Sequence, residues 1–66
     1  MNNPEAVFIA SCAADYLERL EAMFDAIREH LKENTYPYSL ADLGQGIASQ
    51  YSADMRRLAD AEENRT

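Results

Sequence analysis

Apolar residues recur through the first half of the chain at Ile9, Ala13, Tyr16, Leu20, Met23 and Ile27, and a flanking row adds Ala10, Leu17, Phe24 and Leu31. Steps of three and four place both rows on one broad stripe of an α-helix. The intervening positions carry Asp15, Glu18, Arg19, Glu21, Asp25, Arg28, Glu29, Lys32 and Glu33. Asn3-Pro4-Glu5 is a start signal, with Asn as N-cap, proline at the first helical position and an acid in the first turn. No glycine or further proline interrupts the segment, so the pattern predicts a helix over about 4–33, roughly 45 Å long at the helical rise.

Asn34-Thr35-Tyr36-Pro37-Tyr38 ends it. Asn tolerates the left-handed backbone that closes helices, and Pro37 biases Tyr36 toward extended geometry. Ser39-Leu40-Ala41-Asp42 then has the spacing of a capping box, with Asp in place of the usual Glu or Gln. A second stripe follows at Leu40, Leu43, Ile47, Tyr51, Met55 and Leu58, with Gly44, Ala48 and Ala59 beside it, which predicts a helix over about 39–62. Residues 1–3 and the polar end 63–66 are expected to fray. The short connection predicts an antiparallel helical hairpin and a single all-α domain. Gly44 and Gly46 sit awkwardly in the second helix, where each costs about 0.8–1 kcal/mol relative to alanine. Either the first turns are irregular, or missing side chains let the helix approach a bulky neighbour such as Phe24.

Folding about Tyr36-Pro37 makes the numbers of facing residues total about 73. Ile47 is then expected near Phe24 and Ile27, and Met55 near Leu17 and Leu20, so that the two stripes cover one another. The second helix would run out near Ala13, while the first continues through Val7, Phe8 and Ile9. That end is apolar nearly all round, and such a helix is normally buried on every side. On the second helix, no charge falls between Leu43 and Ala53, and depletion of charge marks interface cores. The expected interface therefore comprises Val7, Phe8, Ile9, Cys12, Tyr16, Ile47, Tyr51 and Met55. Two hairpins stacked into a four-helix bundle would bury them.

Composition sharpens this picture. The chain has 66 residues and a net charge of −6, and 47% of it is hydrophobic. Eleven of those hydrophobic residues are alanines, leaving eighteen large apolar side chains once Met1 and Cys12 are set aside. So thin a core usually needs a disulfide framework, a metal or a second chain. One cysteine forms no intrachain disulfide, and no basic segment precedes the early apolar run as in a signal peptide. That run is too short to span a bilayer, so the expected location is cytoplasmic. The acidic balance argues against nucleic-acid binding, since Arg56-Arg57 is the lone adjacent basic pair and Asp54 and Asp60 flank it.

Candidate chemistry is sparse. His30 is the only histidine, and residue 27 is Ile, so the Glu-x-x-His motif of bundle metal sites is absent. Cys12 lies eighteen residues from His30 on the same predicted helix, about 27 Å, which precludes an intrachain dyad. Glu18, Glu21, Asp25, Glu29 and Glu33 form an acidic strip, read as a solvated face threaded with Arg19, Arg28 and Lys32 and including an Asp15–Arg19 pair. An acidic mimic of nucleic acid is the sharper alternative. Tyr36 and Tyr38 are expected to cap the hairpin end over Leu31 and Leu40. The expected function is non-enzymatic, with no cofactor or metal. It is that of a small acidic regulator, adaptor or inhibitor acting as a helical homodimer, of the size common in bacterial or phage accessory genes. The alternative is a small subunit or chaperone-like partner that docks on another protein through the start of its first helix.

Overall fold

The computed structural model describes residues 4–64, which form two α-helices, α1 (Pro4–Glu29) and α2 (Tyr36–Glu63), laid antiparallel in a hairpin about 50 Å long. No strand occurs among the described residues. Arg28 near the end of α1 bonds Asp42 and Gln45 near the start of α2, and Arg56 near the far end of α2 bonds Asp15 and Glu18. These pairs keep close to the register expected from the position of the turn.

The turn differs from its expected boundaries. α1 ends at Glu29 rather than near residue 33, and its exit tightens through His30 N–H donating to the Ile27 carbonyl and Leu31 N–H to that of Arg28, both at 3.1 Å. The left-handed residue is Asn34, with φ 66°, a conformation its short polar side chain tolerates. α2 begins at Tyr36 instead of residue 39. Thr35, not Ser39, is the N-cap: its Oγ1 accepts from Tyr38 N–H at 3.3 Å and donates to the Lys32 carbonyl at 2.6 Å. Pro37 falls in the first turn, where a missing N–H leaves no helical bond unmade. Ser39 already donates its backbone N–H to Thr35 within the helix. At the other end Glu63 is still helical, and Asn64 N–H bonds Asp60 O at 3.0 Å. The expected N-cap at Asn3 and the expected fraying of 1–3 and of 65–66 lie outside the described residues.

The largest correction concerns which rows meet. The seam between the helices is built from small residues: Ala10 and Ala14 on α1, and Ala41, Ala48, Ser52 and Ala59 on α2, are the buried positions among the described residues. The flanking rows, not the main stripes, face one another, and no large side chain among the described residues is fully buried. Alanine pairs bring helix axes to the short end of their usual range, about 8 Å, and at that distance bulky residues fit only beside the seam. Gly44 shows how close the approach is. A Cβ there would stand 2.8 Å from the Phe24 ring, so the glycine is the space that ring occupies. Gly46 has nothing within 4 Å and faces open space. The buried Ser52 hydroxyl is satisfied by the Ser49 carbonyl at 2.9 Å.

Candidate functional site

Displaced from the seam, the large side chains collect on one side of the hairpin. Successive helical residues are rotated by about 100°. On α1 this sets Ile9, Tyr16, Leu20, Met23 and Ile27 roughly a quarter turn or slightly more to one side of the seam, and Asp15, Glu18 and Asp25 to the other. On α2 the same arithmetic separates Leu40, Leu43, Ile47, Tyr51 and Leu58 from Asp42, Gln45 and Arg56. The cross-helix bonds of Arg28 and Arg56 join the two polar flanks across one broad face. The two apolar flanks therefore share the opposite face. All ten of its large residues are exposed, from Leu20 at 42% to Ile9 at 65%. Half-buried Leu17, Phe24 and Met55 line its floor beside the seam.

The expected interface residues divide on this frame. Ile9, Tyr16, Ile47 and Tyr51 lie on the open face, and Met55 borders it from the seam side. Val7 is half-buried. Cys12 is half-buried on the outer edge of α1, and Phe8, 69% exposed, also stands on that outer edge, turned away from the face. The unmatched α1 end is shorter than expected, because burial in the seam extends to Ala59 on α2 and to Ala10 on α1. Leu20, Met23, Ile27, Leu40, Leu43 and Leu58 belong to the face, whereas the expected pairing of the two stripes places them inside the hairpin. Their signal, the three-and-four periodicity, was visible, and what it lacked was direction.

The polar face is clamped at two levels. Arg28 sits among Asp42, Gln45 and Asp25, each at 2.5 Å. Arg56 reaches Asp15 at 2.6 Å and Glu18 at 3.0 and 3.2 Å. The hydrogen bond to Asp42 is the main cause raising the Arg28 pKa, and bonds to Glu18 and then Asp15 raise that of Arg56, so both hold their charge beyond the ordinary arginine range. The acidic strip is accordingly not a uniform solvated face, since Asp15, Glu18 and Asp25 hold these arginines. The expected Asp15–Arg19 pair does not form. Asp15 is taken by Arg56, and the Arg19 guanidinium lies 5.7 Å from the centre of the Tyr16 ring, a cation–π arrangement. On the outer edge of α2, Arg57 pairs with Asp54. Tyr36 does not cap the hairpin, being 76% exposed, while Tyr38 is half-buried.

His30 is exposed. Among the described residues no three His, Cys, Asp or Glu come together as metal ligands, the helices enclose no cavity, and no helix is long and apolar enough to cross a membrane. The most prominent feature of the arrangement is the exposed apolar face. Comparison with known proteins finds no family model, no curated protein and no solved structure that matches the chain.

Proposed function

We propose that the protein is a non-enzymatic protein–protein interaction module that works as a homodimer, two hairpins closing their apolar faces on each other to make a four-helix bundle. One observation carries this reading: among the described residues the buried positions are five alanines and a serine, while the ten large residues of the apolar face lie outside. Alanine burial removes little apolar area from water, and a fully buried Leu, Ile or Phe contributes about 1.5–3 kcal/mol. A hairpin closed only through its seam leaves most of that contribution unused. The face runs about 27 Å from Ile9 to Ile27 and spans two helices, roughly 500 Å² per hairpin and about 1,000 Å² for a pair, which meets the lower bound for a biological interface and is small for a stable one. The charge distribution suits self-association despite the net charge of −6. The bonded acids Asp15, Glu18, Asp25 and Asp42 lie on the opposite face, so two copies meeting apolar side to apolar side keep those carboxylates apart.

Sedimentation equilibrium tests the proposal. The chain is expected to be dimeric at low micromolar concentration, with thermal unfolding that shifts upward as protein concentration rises. Ile47→Asp puts a charge in the middle of the face and is expected to abolish the dimer. A parent chain that is monomeric and unfolds cooperatively, independent of concentration, overturns it.

A second reading rests on Phe8. Its outer-edge position leaves it uncovered by such stacking, which supports docking of a different protein on the start of α1, as a small subunit does. Phe8→Asp is then expected to leave the homodimer intact, whereas dissociation on this substitution assigns Phe8 to the homodimer itself.

A further inference from the structure

Two stacked hairpins can place their turns at the same end or at opposite ends, and the charges bordering the apolar face distinguish the two. The face carries almost no charge of its own, and Arg19 on one side and the Asp54–Arg57 ion pair on the other stand at its edges. On the α1 edge, Arg19 leans over Tyr16, which brings its guanidinium to the margin of the face. On the α2 edge stands Asp54, held by Arg57, with its side chain 35% exposed. The two groups lie at nearly one height along the hairpin, because Arg56, two residues beyond Asp54, bonds Glu18, the neighbour of Arg19.

A two-fold axis along the helices sets α1 of each copy over α2 of the other, with both turns at one end. Each Arg19 edge then meets the Asp54 edge of the second copy at the same height, twice by symmetry. A two-fold axis across the helices sets α1 over α1 and α2 over α2, with the turns at opposite ends. Because the face is centred near Leu20 on α1, this brings Arg19 of one copy beside Arg19 of the other. It also brings Asp54 within about 10 Å of its own equivalent. The first stacking pairs opposite charges at both edges, and the second sets like charges together at both. Across an interface such juxtaposition selects register and orientation.

We infer that the dimer stacks α1 on α2 of the second copy with both Tyr36-Pro37 turns at the same end, the orientation fixed by Arg19 facing Asp54 across each edge. This rests on the homodimer proposed above, and the experiment separates the two. Spin labels are placed at Glu33→Cys, next to the turn, in a Cys12→Ser background, and the label-to-label distance is measured by pulsed electron resonance. Turns at one end are expected to give about 20–30 Å, and a distance of about 40–45 Å or more overturns the orientation while leaving the homodimer standing. Absence of any dimeric signal, with a monomer in sedimentation, removes both. Charge exchange gives an independent readout in unlabelled protein. Arg19→Glu is expected to weaken dimerisation about tenfold, and Arg19→Glu combined with Asp54→Lys to restore it to within about threefold. Failure of the second substitution to rescue the first counts against the pairing, because in the opposite orientation each residue faces only its own kind.

Discussion

The two broad faces of the hairpin share one backbone and one seam and are built on opposite principles. The polar face is closed within the chain: Arg28 and Arg56 each reach across to the other helix and satisfy carboxylates there. The apolar face is left open, with Leu20, Ile27, Leu40, Ile47 and Leu58 all close to half exposed. Directional bonds can be completed by two helices, because a long arginine spans the gap between axes. Burial of large side chains cannot, because two cylinders touching along a line of alanines enclose no volume. The seam thus orders the hairpin, and the face holds the area that the proposed dimer would remove from water.

Exchanging alanine and leucine between these regions should break them in different ways. Ala14 is fully buried in the seam. Ala14→Leu forces three more carbons between helices held about 8 Å apart, and overpacking of this kind costs roughly 3 kcal/mol where the neighbours cannot yield. Loss of helical circular dichroism at 25 °C is expected, and raising the protein concentration should not recover it. A folded Ala14→Leu chain with a parent-like midpoint would show that the seam is looser than its alanines imply. Leu20→Ala removes the same carbons from the open face. It is expected to cost about 2 kcal/mol per chain in the dimer, seen as a lower midpoint that recovers as concentration rises. A midpoint loss independent of concentration would place Leu20 in the hairpin's own core.

These substitutions also show what the sequence could reveal. Both helices, the antiparallel turn and its approximate register follow from periodicity and from the stop signals at Asn34 and Pro37. The boundaries moved because Thr35 competes with Ser39 for the cap, and Thr35 also ties back to the Lys32 carbonyl, a contact that spacing alone does not weigh. The direction of each stripe was not legible. Ile9, Tyr16 and Leu20 stand only about half a turn or less from Ala10, Leu17 and Phe24, and a periodic pattern defines a wide sector without saying which edge points at the neighbour. Assigning the bulkiest row to the nearest helix assumes that the chain buries itself. Here the smallest row does that, and Gly44 opposite Phe24 was the one local sign of so close an approach.

The two glycines sharpen the same contrast at a smaller scale. Gly44→Ala places a methyl group 2.8 Å from the Phe24 ring, a collision that either displaces the ring or separates the helices, and a loss of about 1–3 kcal/mol is expected. Gly46→Ala meets nothing and replaces a poor helix former with the best, so a gain of about 0.8–1 kcal/mol is expected. Urea denaturation of the two variants at one protein concentration reads both. Equal and favourable effects would mean that Phe24 moves aside freely and that Gly44 has no packing role.

The smallest expected effect lies on the closed face and separates ionic closure from packing. Hydrogen bonds to Glu18 and Asp15 raise the Arg56 pKa. Stability from such a shift is fully present below the ordinary arginine value and is lost only as pH rises through the higher folded value. Arg56 therefore stays charged across the accessible pH range, and salt is the informative variable. Arg56→Gln keeps a side chain of related length and hydrogen-bonding character but removes the charge. Because Arg56, Asp15 and Glu18 are all solvent-exposed to a large degree, their attraction is modest and is screened within about 10 Å at 0.1 M salt. The variant is expected to dimerise like the parent and to melt slightly lower in dilute buffer, with the difference vanishing near 1 M sodium chloride. A deficit that persists at high salt would mean that the arginine stem holds the helices by packing. The polar face would then be closed by packing, the same kind of contact that the proposed dimer requires of the apolar face.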